Sequence, residues 1–266
     1  MKLSAKRIEK KAKYIKINSF DCVESTNKTA RELARKGAQE GTAVVALRQT
    51  AGKGRLGRSF LSLKGGVYLS IILRPQILPE DTLYITVAAA VAAARAIESI
   101  SNKKCEIKWV NDIYISGKKV CGILTEGEFA SEGRLDFAVL GVGINLFAPK
   151  GDFPDYLPLA DSVFDKKAKF LSKKALKEQV IADFSNNFFE FYQTLSDKRY
   201  IKEYQQRSLL TGKSITYQKD GKNLDAIVWG IDDNARLVVK RGDETVALST
   251  GDVQITAAEN LFEGKI

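Results

Sequence analysis

A seven-residue loop rich in glycine and cations, residues 52–58 (GKGRLGR), most restricts the folds open to this chain. Its glycines let the backbone approach a ligand closely, and its lysine and two arginines offer charge to a phosphate or a carboxylate. The glycine spacing matches a dinucleotide-binding fingerprint, and residues 52–59 nearly complete a P-loop in which Arg58 replaces lysine. On its own, the loop fits a basic surface turn equally well.

The residues after the loop reject these phosphate-binding motifs. Both require a helix directly after the loop, because the helix N-terminal amides bind the phosphate. Residues 60–63 and 67–73 are instead rich in β-branched and aromatic residues, and a glycine pair at 65–66 separates them, so both segments are predicted as strands. A protein-kinase glycine loop does lie between strands, but a chain without histidine has no HRD catalytic loop.

The absence of histidine also limits the chemistry. It removes Ser-His-Asp and Cys-His nucleophilic catalysis and most transition-metal sites. Catalysis must then use lysine, arginine, aspartate, asparagine and backbone amides, which suits nucleotidyl transfer by positioning and charge neutralisation. A net charge of +10 indicates an anionic partner, without choosing among a nucleotide, an acidic protein and a nucleic acid.

Composition predicts a globular protein with one large and one small domain. The 266 residues are 44% hydrophobic, enough for a sizeable core. Cys22, Cys105 and Cys121 form no C-x-x-C pair, which favours reduced thiols over a disulfide framework or a zinc site. The longest uncharged run of the alanine-rich segment, residues 82–94, is shorter than the roughly 20 apolar residues that span a bilayer, and no signal peptide is evident. We therefore expect a cytoplasmic protein without a membrane partner.

The pattern of predicted elements divides the chain into three segments. Residues 1–16 carry seven lysines and arginines and predict a solvated basic arm or a short marginal helix, too short for a DNA-binding domain. Residues 17–208 alternate strands with helices, including an alanine-rich helix at 79–100 and an aromatic stripe in 172–208 that is typical of a core. Residues 209–266 contain short strands between turns and predict a small β-barrel.

Polar residues interrupt these elements at three places. Residues 25–27 (STN) open a helix, where capping alone explains them. An asparagine and an aspartate at 111–112 interrupt an apolar strand and therefore need polar partners. Gly141 and Gly143 leave a later strand without side chains, which admits a ligand or a neighbouring backbone. Taken alone, Lys119 fits an exposed hairpin lysine.

Five motifs together carry a resemblance to a known family. They are 25–27 (STN), 49–58 (QTAGKGRLGR), 108–112 (KWVND), 117–124 (GKKVCGIL) and 141–145 (GVGIN). In order and spacing they resemble the bacterial biotin protein ligases, and the resemblance covers about residues 17 to 260. Two positions depart from the family pattern. Lys53 stands where arginine is more common, keeping the charge without the bidentate fork, and Val110 replaces proline.

The resemblance implies a fold and a reaction. The fold would be α+β, a class II aminoacyl-tRNA synthetase-like biotin ligase catalytic domain with a mixed sheet flanked by helices, followed by a small C-terminal SH3-like β-barrel. The enzyme would convert biotin and MgATP to biotinyl-5′-AMP and pyrophosphate. A lysine of the biotin carboxyl carrier protein of acetyl-CoA carboxylase would then attack the mixed anhydride.

The resemblance also implies site residues. Biotin would be bound by Ser25, Thr26, Asn27, Gln49, Lys53, Gly54, Arg55, Lys119 and Gly122. ATP or the adenylate would be bound by Arg55, Arg58, Lys108, Asn111, Asp112, Lys119 and Asn145. Lys119 and Arg55 would stabilise charge at the reacting carboxylate and α-phosphate, and Asp112 would orient Lys119, the incoming amine or Mg²⁺. The glycine-rich loop would order over the ligand and shield the adenylate from water.

Partners and alternatives follow from the same resemblance. The expected substrates are biotin and ATP with Mg²⁺, and no prosthetic group is expected. An exposed sheet edge suits homodimerisation or docking of the carrier protein. The short N-terminal segment predicts a ligase that lacks the family's DNA-binding domain, with no DNA partner. Two alternatives stay open, a lipoate-type protein ligase and a basic nucleic-acid-binding protein that uses the N-terminal segment and the barrel as a groove.

Overall fold

A seven-stranded mixed sheet forms the larger part of the molecule in the computed structural model, which describes residues 2–130, 134–168, 172–219, 221–249, 251 and 253–256. Its strands are β1 (Lys16–Phe20), β2 (Thr42–Ala46), β3 (Val67–Leu73), β4 (Glu106–Lys108), β5 (Asp112–Ile115), β6 (Lys118–Phe129) and β7 (Leu135–Ile144). They lie in the order β1-β2-β3-β7-β6-β5-β4. Only β1 and β2 pair in parallel, and the other neighbours are antiparallel.

The described residues form five α-helices: α1 (Ala5–Glu9), α2 (Thr26–Arg35), α3 (Thr82–Ser101), α4 (Lys173–Tyr192) and α5 (Ile201–Gln206). Side chains alternate across each strand, so every strand offers one set to each face. Val44, Ile72 and Val139 pack with α2 on one face, whereas the opposite face packs against α3 and α4. The mixed α+β architecture predicted from the sequence is therefore confirmed.

The alanine-rich helix α3 is a core helix. By length and composition it is apolar enough to cross a membrane, with a mean hydropathy of 1.5. However, 67% of that apolar window is buried, between α4 and strands β5 and β6. Small alanine side chains let the helix axis lie close to the sheet, which is the packing that its sequence predicts. The aromatic stripe of α4 is also in the core, since Phe184, Phe188 and Phe189 are buried.

The N-terminal segment corrects one expectation. A solvated arm does not form, because Leu3, Ile8, Ala12 and Ile15 are buried against the main core. The alternative of a short helix is what the structure contains, as α1, and that helix packs on β1 and α4. The positive charge of the segment lies on the residues between these apolar positions, so the helix is amphipathic and docks by its apolar side.

A second sheet of five antiparallel strands follows α5. Its strands are β8 (Ser214–Lys219), β9 (Lys222–Ile231), β10 (Leu237–Arg241), β11 (Glu244–Leu248) and β12 (Val253–Ile255), in the order β11-β10-β9-β8-β12. The second sheet contacts the 108–112 motif of the first through the indole of Trp109, which donates to the Ala235 carbonyl at 2.9 Å. Tyr204 supports the same motif by donating to the Val110 carbonyl at 2.9 Å.

The structure confirms the prediction of free thiols and corrects the prediction of a strand at residues 60–63. The three cysteines are free, with Cys105 and Cys121 buried, and burial raises the pKa of the Cys105 thiol to about 12. Residues 60–63 are irregular and do not form the predicted strand; β3 begins at Val67. The backbone amide of Phe60 instead donates to the Gly52 carbonyl at 2.9 Å, which folds this segment back on the glycine-rich loop.

Lys177 of α4 makes stability depend on pH. It is 8% exposed, its ammonium donates to the Gly66 carbonyl at 2.8 Å, and burial lowers its pKa from 10.5 to about 8. Because the unfolded chain then binds more protons between pH 8 and 10.5, unfolding free energy should rise with pH in that window, by up to about 3 kcal/mol. Chemical denaturation of wild-type protein and Lys177→Met checks this as a difference. The rise should be missing in Lys177→Met and present in Lys173→Met, which removes an exposed neighbour; equal slopes in all three would contradict it.

Candidate active site

A cavity of about 120 Å³ opens on the face of the large sheet that α2 covers only in part. The ten residues of α2 cover Val44, Ile72 and Val139. Beyond its N-terminus the same face carries Gly141 and Gly143 and is open. The floor of the cavity is thus glycine from β6 and β7, and its walls are the start of α2 and the glycine-rich loop.

Twelve of the fourteen residues predicted for the site line this cavity. They are Ser25, Thr26, Asn27, Gln49, Lys53, Gly54, Arg55, Arg58, Asn111, Asp112, Lys119 and Gly122. Lys108 and Asn145 do not line it. Lys108 ends β4 opposite Asp112, and Asn145 is buried, with its backbone amide donating to the Val120 carbonyl at 2.8 Å. The prediction that these two bind ATP therefore has no support from the cavity.

The N-terminus of α2 supplies one wall. Ser25 is the N-cap and its hydroxyl accepts from the Lys28 amide at 3.4 Å, so the predicted capping role is confirmed. Thr26 and Asn27 follow on the first turn, and both are at most 5% exposed. Capping and cavity lining are compatible, because the cap uses a lone pair of the Ser25 oxygen and leaves its hydroxyl proton for another acceptor.

A chain of hydrogen bonds connects this wall to the loop and the sheet. The side-chain oxygen of Gln49 accepts from the backbone amide of Thr26 at 2.7 Å and lies 3.0 Å from the Thr26 hydroxyl. The Ser70 hydroxyl lies 2.8 Å from the Thr26 hydroxyl and 2.6 Å from the side-chain oxygen of Asn27. The Asn27 amide nitrogen donates to a Glu126 carboxylate oxygen at 2.7 Å. Every member is neutral except Glu126, so this wall suits an uncharged polar ligand group.

The glycine-rich loop forms the opposite wall as a tight turn. The Gly54 amide donates to the Arg58 carbonyl at 2.7 Å, and residues 55–57 make a single 3₁₀ turn, with no α-helix after it. Arg55 donates to the Asn111 side-chain oxygen at 3.1 Å and to the Gly251 carbonyl at 3.4 Å. The loop is thereby attached both to the 108–112 motif and to the second sheet, and it lacks the helix of a P-loop or dinucleotide fold.

Lys119 and Asp112 meet across the β5–β6 hairpin. The Lys119 ammonium lies 2.6 Å from Asp112 Oδ2. A β-bulge between Ile113 and Tyr114 shifts the register, so that Asp112 pairs with Gly122 and Tyr114 pairs with Lys119. Without this shift the alternation of the strand would turn Lys119 to the opposite face of the sheet. The bulge therefore directs the lysine into the cavity.

The other oxygen of Asp112 is free to act. Oδ1 is buried and has no hydrogen-bond partner among the described residues. An unpaired carboxylate oxygen out of water is costly, so this position suits a cation or an N–H donor from a ligand. No cluster of three or more potential metal-ligating His, Cys, Asp or Glu side chains occurs in the part of the chain that the structure describes. A Mg²⁺ held by one carboxylate and by phosphate oxygens fits this donor set.

Electrostatics divides the cavity. Its charged lining comprises Lys53, Arg55, Arg58 and Lys119 against the single carboxylate of Asp112. These four cations gather at the loop and hairpin end, while the α2 end is neutral. The cavity thus has one end for neutral polar groups and one end for anions.

Sequence reasoning missed Phe60. Its ring covers Gly122 and Gly143, which face each other across β6 and β7. A Cβ atom at Gly143 would lie 2.6 Å from this ring, and one at Gly122 would lie 2.8 Å from it. Both glycines are therefore needed to admit the ring into the cavity. The signal in the sequence was a pair of glycines in strands whose register only the fold reveals.

Comparison with known proteins agrees with the geometry. The model of the biotin/lipoate A/B protein ligase family matches residues 19–145. The bifunctional ligase/repressor BirA of Bacillus subtilis is 41% identical over 173 residues, 64% of this chain and 53% of that protein. The chain thus spans about half the length of this relative. The biotin–[acetyl-CoA-carboxylase] ligase of Mycobacterium tuberculosis is 27% identical over 245 residues, 88% of each chain.

A solved structure shares the fold over nearly the whole chain. The biotin protein ligase of Aquifex aeolicus, in complex with biotin and ATP, superposes with a TM-score of 0.73 at 24% identity, covering 92% of this chain and 99% of that one. The segment that the family model matches, residues 19–145, contains all five motifs that carried the resemblance. The second sheet follows this segment. Residues 19–145 of this chain are therefore similar to the biotin/lipoate A/B protein ligase family.

Proposed function

We propose that this protein activates biotin with ATP to biotinyl-5′-AMP and transfers the biotinyl group to a lysine of the biotin carboxyl carrier protein of acetyl-CoA carboxylase. The observation that carries the proposal is the division of the cavity between a neutral hydrogen-bonding end and a cationic end. Biotin has the same division, a neutral cyclic urea at one end and a carboxylate at the other. The family match over residues 19–145 supports the same assignment.

The ureido ring binds at the α2 end. Its carbonyl accepts hydrogen bonds and its two N–H groups donate them, so the pocket must offer both kinds of partner. Ser25 has a hydroxyl proton to donate, Gln49 has an amide N–H, and Thr26 has lone pairs to accept. Asn27 lies against Gly141, where any Cβ atom would overlap its side-chain oxygen. The tetrahydrothiophene ring and valeryl chain then lie beside the ring of Phe60, which covers Gly122 and Gly143.

The first chemical step takes place at the cationic end. A biotin carboxylate oxygen attacks the α-phosphorus of ATP, the new C(O)–O–P bond forms, and the bond to the β-phosphate breaks to release pyrophosphate. Two anions must approach each other, and fixed cations lower that cost because they need no reorganisation. Lys119 and Arg55 lie beside the carboxylate and the α-phosphate, while Lys53 and Arg58 contact the loop side of the phosphates. Mg²⁺, when bound, neutralises the phosphates, and Asp112 Oδ1 is the protein group suited to hold it.

The second step uses the carrier lysine. Its neutral amine attacks the carbonyl carbon of the mixed anhydride, the amide bond forms, and AMP leaves with the bonding electron pair. The amine loses a proton, for which Asp112 is the carboxylate in reach of the anhydride. No protein nucleophile takes part, which agrees with a chain that contains no histidine.

We predict that ligand binding protects the glycine-rich loop from proteolysis. Residues 51–60 are held at their two ends by the Ala51 amide, which donates to the Glu24 carbonyl at 2.8 Å, and by the ring of Phe60 on Gly122 and Gly143. Between these ends, Arg55 donates to Asn111 and Gly251. Biotinyl-AMP would add contacts to the amides and cations of the loop and close it over the anhydride, which excludes water. Limited trypsin digestion, followed by mass spectrometry, should show cleavage after Lys53, Arg55 or Arg58 slowed at least tenfold by biotin plus ATP. Cleavage at equal rates with and without ligands would contradict the prediction.

The second sheet completes the proposed enzyme. We infer that the predicted domain of residues 209–266, of which residues 257–266 lie outside the described part of the chain, is separate from residues 17–208 and contains an SH3-like barrel; five antiparallel strands in succession support this. This domain approaches the active site through Gly251, whose carbonyl accepts from Arg55. The edge strand β1 of the large sheet is suited to pairing with a carrier protein or a second copy of the chain. Dependence on ATP and free thiols favours a cytoplasmic location.

Two assays separate the alternatives. Incubation with ATP, an apo carrier domain and either labelled biotin or labelled lipoate distinguishes the two protein ligases, and we expect label from biotin alone. A basic nucleic-acid-binding protein would instead bind DNA with a steep salt dependence and make no adenylate. Transfer of lipoate in place of biotin would reassign the substrate, and DNA binding without adenylate formation would replace the proposed function.

A further inference from the structure

Glu126 of β6 lies outside the cavity and outside the five sequence motifs, yet it ends the hydrogen-bond chain of the cavity wall. Its Oε2 atom accepts from the Asn27 amide at 2.7 Å, and its Oε1 atom lies 2.9 Å from an Arg31 guanidinium nitrogen. Asn27 also points its amide nitrogen at the Leu124 carbonyl, 3.4 Å away. Two acceptors on the same side leave the Asn27 amide group only one orientation, with its oxygen toward Ser70.

The chain of hydrogen bonds that connects the side chains of Asn27 and Gln49 contains three oxygen–oxygen contacts but only two hydroxyl protons. Three oxygen–oxygen contacts run from the Asn27 carbonyl oxygen through the Ser70 and Thr26 hydroxyls to the Gln49 carbonyl oxygen, at 2.6, 2.8 and 3.0 Å. The two hydroxyls supply one proton each. Both ends of the chain are acceptors, since the Thr26 amide holds the Gln49 oxygen in place and Glu126 turns the Asn27 oxygen inward.

The contact without a proton is the one between the Ser70 and Thr26 hydroxyls. The Asn27 oxygen is buried and its only donor in the described contacts is Ser70, at the shortest of the three distances, so the Ser70 proton is used there. The Thr26 hydroxyl then receives no proton from Ser70 and keeps its lone pairs for another donor. Thr26 lines the cavity, so that donor must come from the ligand.

We propose that Glu126 is a positioning residue that keeps this chain one proton short and thereby reserves the Thr26 hydroxyl as an acceptor for a ligand N–H. The ligand is a cyclic urea, in an inference that rests on the proposed function. Glu126 acts through Asn27 and Ser70 and contacts neither the ligand nor the reacting atoms.

The variant Glu126→Gln reverses the chain with almost no change in shape. Arg31 offers only donors, so the new glutamine turns its oxygen to Arg31 and its amide nitrogen to Asn27. Asn27 must then flip, and its own amide nitrogen faces Ser70. The Ser70 hydroxyl then donates a hydrogen bond to the Thr26 hydroxyl, and the Thr26 hydroxyl donates one to the Gln49 side-chain oxygen. Every contact now contains a proton, and one of the two lone pairs of the Thr26 hydroxyl is used before the ligand arrives, which weakens this hydroxyl as an acceptor for the ligand.

Calorimetric titration with biotin and with each of the two mono-N-methylated biotins tests this reversal. Wild-type protein should prefer biotin strongly over the isomer whose methyl group replaces the N–H at Thr26. In Glu126→Gln the Kd for biotin should rise roughly tenfold and the preference should fall by the same factor, because one hydrogen bond is lost. Glu126→Asp, which still only accepts, should keep the wild-type preference. The matched control Glu128→Gln lies two residues along the same strand, pairs with Arg35 and should also keep it.

Two further readouts separate this role from a structural one. The melting temperature of ligand-free Glu126→Gln should equal the wild-type value within a few degrees, because the flip of Asn27 gives up only the long 3.4 Å contact with the Leu124 carbonyl. An unfolded variant would overturn the proposal. Equal weakening of all three ligands, or of none, would also overturn it. The Asn27 side-chain amide resonances in ¹⁵N–¹H spectra should shift in Glu126→Gln and stay in place in Glu128→Gln. This spectrum needs no ligand, so it tests Glu126 even if wild-type protein fails to bind biotin, which would refute the proposed function instead.

Discussion

Replacing Lys119 with alanine should slow biotinyl-AMP formation by about 10²- to 10³-fold, while the protein stays folded. Lys119 is the cation that the β6 bulge turns into the cavity, where its ammonium lies 2.6 Å from Asp112. The loss removes the charge that offsets repulsion between the carboxylate and the α-phosphate. Single-turnover formation of biotinyl-AMP from biotin and ATP measures this step directly.

Lys118→Ala is the matched control for this experiment. Lys118 is the preceding residue, is exposed, and donates to the Pro158 carbonyl at 2.8 Å, away from the cavity. It removes the same net charge from the same hairpin, so a general electrostatic effect would slow both variants equally. We expect Lys118→Ala to retain the wild-type rate within about twofold. A folded Lys119→Ala protein that forms the adenylate at nearly the wild-type rate would remove Lys119 from the mechanism.

Replacing Asp112 with asparagine should lower biotin-dependent pyrophosphate exchange by about 100-fold. Asparagine keeps the shape of the side chain but loses the charge that pairs with Lys119 and the buried Oδ1 acceptor that suits Mg²⁺. Because Asp112 and Lys119 act as a pair, the double variant Asp112→Asn/Lys119→Ala should be little slower than the worse single variant. Rate losses that multiply in the double variant would show that the two residues act independently.

The half-reaction affected by Asp112→Asn decides between its roles. If exchange falls and the dependence on Mg²⁺ concentration shifts, Asp112 acts on the metal. If exchange falls without such a shift, Asp112 acts by holding Lys119. Adenylate formation at the wild-type rate together with slow transfer to the carrier would assign Asp112 to the incoming amine and contradict the pairing role.

The sequence predicted the parts of the site that are local in the chain. The capping residues 25–27 predict the start of a helix, and the glycines and cations of residues 52–58 predict an anion-binding loop. The helix predicted at 79–100 corresponds to α3 within three residues at each end, and the segment 172–208 contains α4 and α5, because apolar residues at helical spacing mark both segments. The free thiols and the mixed architecture followed from composition and from the order of the elements.

Features that depend on strand register were beyond the sequence. The bulge that directs Lys119 into the cavity shifts the register of β5 and β6 and has no local signal, since Ile113 and Tyr114 are residues that suit any strand. Phe60 was assigned to a strand from its β propensity, but its backbone instead bonds to Gly52 and its ring fills the space above two glycines. Glu126 reads as an ordinary charged residue in a strand, and only the fold brings it to Asn27, 99 residues away.

The N-terminal segment shows the limit of reading charge. Seven cations in sixteen residues suggested a solvated arm, because the apolar residues that determine its packing, Leu3, Ile8, Ala12 and Ile15, are dispersed among these cations. Those residues are buried against the core, and Glu178 of α4 accepts from the Ser4 amide at 3.0 Å and pairs with Arg7. Tertiary packing, together with this buried carboxylate, determines the position of the segment, and neither is visible in the local sequence.

Biotin-dependent exchange of labelled pyrophosphate into ATP tests the central claim most directly, because only an enzyme that forms biotinyl-AMP reversibly gives that signal. The wild-type protein, with ATP and Mg²⁺, should incorporate label when biotin is present and not when it is omitted, and the same preparation should then biotinylate an apo carrier domain. A folded protein that shows no exchange at saturating biotin and ATP would contradict the account.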